Sequence, residues 1–417
     1  MNNYFTTQSC FFGASSPEKL ISKYGSPLYV YNESILRQRC REITDFVGYP
    51  GFRANYSAKA NSNAELLKIV RSEGLGADAV SSGEIYVLMA SGFLPEDIFY
   101  VANNVSEEEM RFAIERGVLM SVDSLSQLEQ YGRLNPGGKI AVRFNAGVGA
   151  GHHAKVVTSG KGTKFGITPD RIDAVKALLK RYRLRLAGVN HHIGSLFMEG
   201  EPYLEGARAL LDIAIQFEGL EFVDFGGGFG IPYNKQEGQP RLKLEKLGEK
   251  LSELLYAWST IYGSKIIPKV EPGRYIAAEC GVLLGSVNSI KRSNGVRYVG
   301  TDLGFNVLVR PTMYDSYHDI EVYKNGEAAD TWKHDTVTIV GNVCESGDII
   351  ARDRELPHIV EGDILGITDA GAYGYSMCSN YNNRLRPAEV LIREDRSDVL
   401  IRKRDSYSDL LRNFCCI

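Results

Sequence analysis

Several residues in the middle of the chain have side chains suited to covalent, acid–base or anion-binding chemistry. In chain order they are Lys59, Asp78, Arg143 with Asn145, His191 with His192, the glycine run 226–230, and Glu271 with Arg274. A lysine that ends an apolar segment is either a surface residue or a desolvated amine whose lowered pKa suits Schiff-base chemistry. A run of glycines is either a tight turn or a loop whose backbone N–H groups bind phosphate.

Glu271 and Cys344 are candidates for holding and delivering a proton. In one interpretation Glu271 and Arg274 are a surface ion pair of little energetic value. In the other, the carboxylate faces a ring nitrogen, keeps a pyridine protonated and makes it an electron sink. Cys344 opens the run CESGD (344–348) after a β-rich segment. It is either a small packing residue or a proton donor beside the carboxylate of Glu345.

Two histidine pairs, His152–His153 and His191–His192, are candidates for a metal site. Neighbouring residues of a strand point to opposite faces, so His191 and His192 cannot easily bind one ion. We therefore expect no metal, and instead one imidazole stacked on a cofactor ring with its neighbour in the wall of the site. The loop around 148–163 is rich in Gly and His, and its glycines suggest a mobile lid.

Short β-rich segments alternate with helical segments from about residue 50 to residue 275. The predicted strands are 53–59, 74–80, 98–103, 119–124, 140–145, 186–192, 222–227 and 266–273. The predicted helices include 64–72, 83–91, 106–117, 124–132, 203–217 and 244–263. Ser106, followed three residues later by Glu109, has the pattern of a helix N-terminus.

The number of alternations indicates the fold class. Eight β–α alternations close a (β/α)8 TIM barrel, whose catalytic residues lie at the carboxyl ends of the strands. The candidates from Lys59 to Arg274 lie at or just after the carboxyl ends of predicted strands. A doubly wound sheet is the alternative, but its usual G-x-G-x-x-G motif does not follow the first strand, which ends in Lys-Ala-Asn. We therefore predict an α/β barrel over residues 33–280.

After about residue 280 the pattern changes to short β-rich runs separated by Gly, Asn and Asp. These runs are 282–290, 296–302, 335–342, 363–371, 388–394 and 397–403. Because no helical segments separate them, they indicate an antiparallel β-barrel or sandwich. The segment 27–32 can add a strand to it. We therefore predict that residues 1–32 and 281–417 form a second, β-domain.

The composition excludes several classes of protein. With 44% hydrophobic and 24% charged residues, the chain of 417 residues is not disordered, collagen-like or a coiled coil. A net charge of −3 without a basic stripe argues against nucleic-acid and membrane partners, and no apolar stretch approaches the roughly 20 residues of a membrane span. Seven cysteines without paired spacing and an N-terminus unlike a signal peptide predict a cytoplasmic protein with reduced thiols.

Taken in order, the motifs resemble those of the fold-type III pyridoxal-phosphate-dependent decarboxylases, and within them the diaminopimelate decarboxylases. The matching segments are YSAKAN (56–61), GADAVSSGE (76–84), KFGI (164–167), HHIGS (191–195), GGGFGI (226–231), EPGR (271–274), RPTMYDSYH (310–318), CESGD (344–348) and DAGAYGYSMCSNYNNRLRPAEVL (369–391). The resemblance implies an alanine-racemase-like barrel with a C-terminal β-domain. It also implies pyridoxal 5′-phosphate as cofactor and a homodimer with shared active sites.

The resemblance also implies a role for each matching residue. Lys59 would hold the cofactor covalently, His192 would stack on its ring, and Glu271 would bind the ring nitrogen. The other cofactor-binding residues would be Asp78, Ser195, Gly227, Gly228, Gly273, Arg274 and Tyr373. Cys344 of the partner subunit would return a proton to the α-carbon. The substrate-binding residues would be Arg274, Arg310, Tyr314, Glu345 and Tyr373.

The implied reaction is decarboxylation of meso-2,6-diaminopimelate to L-lysine and carbon dioxide, the last step of lysine biosynthesis. This substrate keeps a whole amino-acid end, which needs a guanidinium for its carboxylate and an acid for its ammonium. Alternatives within the fold are decarboxylation of ornithine, lysine, or a siderophore or antibiotic intermediate. Alanine racemase is a further alternative, against which Glu271 and Cys344 argue. Outside enzymes, the alternative is a homologue that binds the cofactor without turnover.

Overall fold

The computed structural model describes residues 4–149, 160, 163–324, 327–328 and 334–415. The chain divides into two compact units. The barrel unit comprises residues 37–231 and 241–276, and the β unit comprises residues 1–36, 232–240 and 277–417. The pair His152–His153 and most of the loop interpreted as a lid lie outside the described residues.

Several helices begin at a residue whose side chain caps the first turn, among them those that follow Ser16, Asn63, Ser81, Ser106 and Ser124. The Ser106 hydroxyl accepts the N–H of Glu109 while the Glu109 carboxylate accepts the N–H of Ser106, which forms the predicted capping box. The α-helices are α1 (Phe5–Gln8), α2 (Pro17–Tyr24), α3 (Glu33–Asp45), α4 (Ala64–Ser72), α5 (Ser82–Ala90), α6 (Glu107–Glu115), α7 (Leu125–Leu134), α8 (Ile172–Arg181), α9 (Glu201–Ala214), α10 (Leu244–Tyr262), α11 (Arg274–Ala277), α12 (Arg310–Tyr314) and α13 (Tyr407–Leu411).

The strands fall into two groups along the chain. Those up to residue 270 are β1 (Leu28–Asn32), β2 (Arg53–Ser57), β3 (Gly76–Ala79), β4 (Ile98–Val101), β5 (Leu119–Val122), β6 (Lys139–Arg143), β7 (Arg185–Asn190), β8 (Phe222–Asp224) and β9 (Ile267–Val270). Those after it are β10 (Gly281–Ser293), β11 (Val296–Thr301), β12 (Ile320–Lys324), β13 (Glu327–Ala328), β14 (His334–Val340), β15 (Ile349–Pro357), β16 (Ile364–Ile367), β17 (Ala388–Ile392) and β18 (Asp398–Arg402).

Strands β2 to β9 close a barrel in the barrel unit. Each pairs in parallel with the next, and β9 pairs in parallel with β2. All eight overlap the segments predicted for them. The predicted (β/α)8 fold class is therefore confirmed, and the carboxyl ends of the strands meet at one end of the barrel.

Apolar side chains fill the interior of the barrel. Phe99 and Phe222 pack edge to face with ring centroids 5.3 Å apart, and Val101, Ala141 and Ala187 complete the buried cluster around them. The ammonium of Lys269 lies 4.2 Å from the centre of the Phe222 ring. The barrel is thus a packed core that holds its strand ends rigidly, which is what a catalytic site requires.

The β unit contains one sheet of ten strands, β1 and β10 to β18. Most neighbouring strands are antiparallel, but β1 pairs in parallel with β17 and β11 pairs in parallel with β14. Strand β1 lies between β10 and β17, so the N-terminal segment completes the sheet as predicted. The second, β-rich domain is confirmed, and its sheet is mixed rather than purely antiparallel.

Residues 232–240 follow the glycine run and belong to the β unit. Lys235 attaches this segment to the β unit through ion pairs and a backbone hydrogen bond. Its Nζ lies 2.5 Å from Oδ1 of Asp369 and 3.3 Å from Oε1 of Glu279, and both carboxylates are buried. Its backbone N–H donates to Oδ2 of Asp319 at 2.7 Å. Burial by itself lowers the pKa of Lys235, but Asp369 and Glu279 raise it above the ordinary value, so the ammonium stays charged.

The described residues provide neither a membrane-spanning helix nor a metal-binding cluster. No helix within the described ranges is long and apolar enough to cross a membrane. The histidine, cysteine and acidic side chains described by the structure form no group of three or more that could hold a metal ion. The chemically capable residues are grouped instead at the barrel strand ends and in loops of the β unit.

Candidate active site

Lys59 lies at the carboxyl end of the barrel, in a short 3₁₀ turn, Ala58–Ala60, that follows β2. Its Nζ lies 2.9 Å from Oδ2 of Asp78 in β3. The Asp78 carboxylate is buried, and the hydroxyl of Ser57 also donates to its Oδ2 at 2.7 Å. A buried carboxylate therefore holds the lysine amine in place at the mouth of the barrel.

Glu84 is a second carboxyl group near Lys59, and it lies outside the set of site residues predicted from the sequence. It is in the first turn of α5, where its Oε2 accepts the N–H of Val80 at 2.7 Å. Burial raises the pKa of Glu84 to about 7, and the charge of Asp78 adds to this. The signal for it is its place at the end of the GADAVSSGE motif, where a helix begins.

The two histidines after β7 have different environments. Nδ1 of His192 accepts the backbone N–H of Gly227 at 3.0 Å, which leaves the proton of a neutral ring on Nε2. Burial and the charge of Arg143 hold the pKa of His192 well below its usual range. His191 is buried against the edge of Phe225, with ring centroids 6.5 Å apart, and burial lowers its pKa to about 3. Both imidazoles are therefore neutral at physiological pH.

Gly227 and Gly228 allow the loop after β8 to touch its neighbours. A Cβ on Gly227 would lie 1.9 Å from the backbone oxygen of Glu271, and a Cβ on Gly228 would lie 2.2 Å from that of Gly194. Gly228 also has a φ of 101°, which favours glycine. Any side chain at these positions would displace the loop. The two glycines therefore keep a surface of bare backbone between the loops that follow β7, β8 and β9.

Arg274, Ser195 and Gly273 complete the group in the barrel unit. Nη2 of Arg274 donates to Oγ of Ser195 at 3.0 Å, and the arginine is buried. A Cβ on Gly273 would lie 3.0 Å from Cβ of Ser57, so the loop after β9 packs closely against the end of β2. The structure thus links the loop after β9 to the loop after β7 through Arg274 and Ser195, and to the end of β2 through Gly273.

Glu271 and Asp224 form a buried pair of carboxyl groups at the ends of β9 and β8. Burial raises the pKa of Glu271 well above its ordinary value, and the charges of Asp224 and Asp78 add to this. Burial likewise raises the pKa of Asp224 to about 7. Two adjacent carboxyl groups out of water cannot both ionise, so the pair holds a proton near neutral pH. Within the described chain, Oε1 of Glu271 has no hydrogen-bond partner.

Replacing Asp224 with asparagine is expected to flatten the pH dependence of stability in the cofactor-free protein. Because the pKa of Asp224 is 3.8 ordinarily and about 7 in the folded chain, the folded state keeps a proton that the unfolded state releases. The free energy of unfolding therefore falls as the pH rises through this window. Asparagine keeps the acceptor for the N–H of Gly226, 2.9 Å from Oδ1 of Asp224.

Urea titrations from about pH 4 to about pH 8 measure this effect as the difference between Asp224→Asn and the wild type. The difference should grow with pH in favour of the variant. Parallel pH profiles for the two proteins would contradict the prediction.

Arg143 supplies positive charge to the floor of the site. It ends β6, is buried, and its guanidinium lies 4.7 Å from the centre of the Phe165 ring. Burial lowers the pKa of Arg143, while the charges of Glu271, Asp123 and Asp78 act to raise it. The strand-end pattern identifies Arg143 as a candidate, but the family resemblance assigns it no role. In the structure Arg143 lies close enough to Glu271, Asp123 and Asp78 for their charges to act on it.

Cys344 and Glu345 lie on an exposed loop of the β unit. The N–H of Cys344 donates to Oδ1 of Asn382 at 2.8 Å, and the hydroxyl of Tyr381 donates to Oε1 of Glu345 at 2.5 Å. Asp348 braces the turn, because its Oδ2 accepts the N–H of Val343 at 2.7 Å. Hydrogen bonds therefore hold the loop in place, and its thiol and carboxylate lie at the surface of the β unit.

Arg310, Tyr314 and Tyr373 are the other predicted residues in the β unit. Arg310 and Tyr314 are the first and last residues of α12, and Arg310 is buried. The hydroxyl of Thr312 donates to the backbone oxygen of Gly347 at 3.1 Å, which links α12 to the Cys344 loop. Tyr373 has a φ of 57°, in the loop that follows Asp369. Each unit thus holds one group of the predicted residues.

Comparison with known proteins identifies the family. Residues 34–278 match the family model described as "Pyridoxal-dependent decarboxylase, pyridoxal binding domain". A diaminopimelate decarboxylase of Methanothermobacter thermautotrophicus is 42% identical, over 96% of this chain and 94% of that protein. This chain belongs to the diaminopimelate decarboxylase family. A solved diaminopimelate decarboxylase, 30% identical, has a TM-score of 0.89 and is matched over 96% of this chain and 98% of that one.

A second solved diaminopimelate decarboxylase, from Helicobacter pylori, was crystallised in complex with L-lysine. It is also 30% identical, with a TM-score of 0.87, and the match covers 95% of this chain and 98% of that one. The resemblance inferred from the motifs is therefore confirmed over nearly the whole chain, including both units.

Diaminopimelate decarboxylases use pyridoxal 5′-phosphate, and the described residues of this chain fit that cofactor. Lys59 provides an amine, held by Asp78, that can bond to the aldehyde carbon of the cofactor. Glu271 presents a buried oxygen without a hydrogen-bond partner in the described residues, as the ring nitrogen requires. The bare backbone at Gly227 and Gly228 suits a phosphate group.

Proposed function

We propose that this chain decarboxylates meso-2,6-diaminopimelate to L-lysine and carbon dioxide, the last step of lysine biosynthesis. We also propose that it works in the cytoplasm as a homodimer with shared active sites. One observation carries the proposal: the pair Lys59–Asp78 and the buried Glu271 occupy strand ends of one barrel, in a chain that matches diaminopimelate decarboxylases almost end to end. A non-catalytic carrier would have no need of this complete set.

Lys59 is the residue that holds the cofactor and later releases the product. Its Nζ must lose a proton to act as a nucleophile, and the neighbouring Asp78 oxygen at 2.9 Å is positioned to stabilise the protonated form between these events. Ser57 keeps that oxygen in place through its hydroxyl. The side chain of Lys59 is about one-third exposed (37%), so substrate can reach its Nζ.

Glu271 and His192 would both contact the ring of the cofactor. When bound, pyridoxal phosphate supplies an electron sink for the electron pair that the departing carboxylate leaves behind. Glu271 holds a proton at the ring nitrogen, and its burial excludes the water that would weaken this contact. His192, neutral and fixed by the N–H of Gly227, offers a flat uncharged surface for the ring. Ser195, Arg274, Gly273 and Tyr373 belong to the same proposed set around the cofactor.

Cys344 of the partner subunit delivers the proton that replaces the lost carboxylate. Exposure of the thiol on a braced loop supports this role, because a group that serves another subunit must lie on the surface. Its Sγ gives a proton to the α-carbon, and solvent then restores it. Glu345, beside it on the same loop, is placed to bind an ammonium group.

The retained amino-acid end of the substrate needs both signs of charge. Arg310 and Arg274 supply guanidinium groups for its carboxylate, with the hydroxyls of Tyr314 and Tyr373 as additional donors. Glu345 supplies the carboxylate for its ammonium. A diamine-forming decarboxylase needs only the acid, so the arginines favour diaminopimelate over ornithine or lysine.

A panel of substrates tests the proposal. The chain, reconstituted with pyridoxal phosphate, is given meso-diaminopimelate, its L,L-isomer, ornithine and lysine in separate assays of carbon dioxide release. Release from meso-diaminopimelate alone supports both the reaction and the role of the arginines. Release from ornithine or lysine instead would keep a decarboxylase but overturn the substrate. No release from any of the four would overturn the proposed reaction.

Replacing Glu271 with glutamine is expected to lower kcat by about 10²-fold, because the amide cannot hold a proton at the ring nitrogen. Attachment of the cofactor at Lys59 should persist, since that contact is untouched. Steady-state kinetics and cofactor content measure the two effects separately. Glu245→Gln, on the exposed face of α10, is the matched control and should behave as the wild type. An unchanged kcat in Glu271→Gln would contradict the role of Glu271.

A further inference from the structure

We infer that His318 is a positioning residue, which orients the guanidinium of Arg310 toward the carboxylate that the reaction retains. The inference rests on the proposed function, because it gives Arg310 the distal end of the substrate. His318 lies in the β unit, is buried, and follows α12 by four residues. The motif RPTMYDSYH contains it, but the family resemblance implies a role only for Arg310 and Tyr314 of this motif.

Both nitrogens of the His318 ring are used. Nε2 lies 2.7 Å from Nη1 of Arg310, and Nδ1 lies 2.8 Å from the backbone oxygen of Thr368. A guanidinium can only donate, so Nε2 accepts; a carbonyl can only accept, so Nδ1 donates. The two contacts together select the neutral imidazole with its proton on Nδ1. A protonated ring would instead present an N–H to the guanidinium.

Tyr233 and the backbone at Thr368 hold the His318 ring and the Arg310 guanidinium in this arrangement. The Tyr233 ring meets the His318 ring edge to face at 5.1 Å between centroids, and the Arg310 guanidinium lies 4.6 Å from the centre of the same Tyr233 ring. The N–H of Thr368 donates to the backbone oxygen of Asp319 at 3.1 Å, which fixes the carbonyl that anchors the histidine. The histidine is therefore held from both sides, and the guanidinium is aligned by it.

Because His318 is a neutral acceptor, it does not neutralise the positive charge of Arg310. A carboxylate in place of His318 would orient Arg310 equally well but would also neutralise it and compete with the substrate carboxylate. Imidazole fixes the plane of the guanidinium and leaves its positive charge for the substrate. Ser316, whose Oγ lies 3.3 Å from Nη2 of Arg310, is a second neutral acceptor of the same kind.

Two variants separate the two hydrogen bonds of His318. In His318→Asn the amide nitrogen takes the place of Nδ1 and keeps the bond to Thr368, but the shorter side chain offers no acceptor to Nη1 of Arg310. In His318→Gln the longer side chain places its oxygen near the position of Nε2 and restores an acceptor for Arg310. The probes are L-lysine, which carries the retained carboxylate, and cadaverine, which is the same molecule without it.

Calorimetry on the cofactor-loaded enzyme measures both affinities. In His318→Asn the Kd for L-lysine should rise about tenfold to a hundredfold, the loss expected for a misdirected hydrogen bond to a charged group. The Kd for cadaverine should stay unchanged, and His318→Gln should recover most of the affinity for L-lysine. With meso-diaminopimelate as substrate, KM should rise more than kcat falls.

A double-mutant cycle separates positioning from a structural role. In the Arg310→Gln background, His318→Asn should cause no further loss of L-lysine affinity, since no guanidinium remains to be oriented. The control is His358→Asn in the same unit, whose Nδ1 lies 2.5 Å from Oδ2 of Asp335. It should leave both affinities unchanged.

Three outcomes would overturn the inference. Equal losses for L-lysine and cadaverine, or additive losses in the double variant, would show that His318 only supports the fold. An unchanged Kd for L-lysine in His318→Asn, with a raised Kd in Arg310→Gln, would remove His318 and leave the proposed function intact. An unchanged Kd for L-lysine in Arg310→Gln would remove the distal-end role of Arg310 itself, and with it this part of the proposed function.

Discussion

Replacing Lys59 with alanine is expected to lower kcat for meso-diaminopimelate by about 10³-fold or more, because the variant loses the amine that holds the cofactor and releases the product. Borohydride reduction followed by digestion and mass spectrometry measures the same change without turnover. The cofactor should be found on Lys59 in the wild type and on no residue in the variant. The side chain lies at the surface of the site, so its loss should leave the fold intact.

The matched control is Lys68→Ala in α4, which removes an exposed lysine paired with Glu65 at 2.6 Å. It should have the kinetics and labelling pattern of the wild type. The alternative amine in the barrel is Lys269, whose pKa burial lowers. Labelling of Lys269, or substantial activity in Lys59→Ala, would contradict the assignment of Lys59.

Replacing Cys344 with alanine is expected to lower kcat by about 10² to 10³-fold, the contribution typical of a positioned general acid. The cofactor should still attach to Lys59, because the thiol acts only after the carboxylate has left. Cys415→Ala, which removes another exposed thiol of the β unit, should be fully active. Full activity in Cys344→Ala would contradict its role as proton donor.

Mixing the two inactive variants tests whether the active sites are shared between subunits. A mixed dimer of Lys59→Ala and Cys344→Ala contains one site with both defects and one site with neither. If subunits exchange freely, half of the dimers are mixed, and the activity should recover to about a quarter of the wild-type value. No recovery after demonstrated exchange would mean that Lys59 and Cys344 of the same chain work together.

The barrel could be predicted from the sequence because its strands obey a local rule. Each is a short, mostly buried run, and several have a chemically capable residue at or just after the carboxyl end, such as Lys59 or Glu271. The helices α4 to α7 also begin with their own side-chain caps. Part of the β unit breaks this rule. Strand β15 is IIARDRELP, with four charged residues, and it depends on its pairing with β14. In β12 the buried Glu321 interrupts the apolar pattern and accepts the hydroxyl of Tyr323 at 2.6 Å.

Some features of the candidate site could likewise be predicted from local sequence, and others depend on residues far apart in the chain. The residues at strand ends could be assembled from the sequence because parallel strands in a barrel share one carboxyl end. The proton shared by Asp224 and Glu271 could not, since it arises from burial of two strand ends that lie far apart in sequence. The role of His318 could not be predicted either. It depends on a bond across the loop after α12 and on an anchor at Thr368, fifty residues further along the chain.

The decisive measurement for the proposed reaction is the balance of products from meso-diaminopimelate with the wild-type chain and pyridoxal phosphate. Carbon dioxide and lysine are quantified together, and the configuration of the lysine is determined by chiral chromatography. The proposed reaction predicts equal amounts of carbon dioxide and L-lysine, and about 10³-fold less of each, or none, from Lys59→Ala in the same time. Carbon dioxide without lysine, D-lysine, or unchanged substrate in the presence of bound cofactor would contradict it.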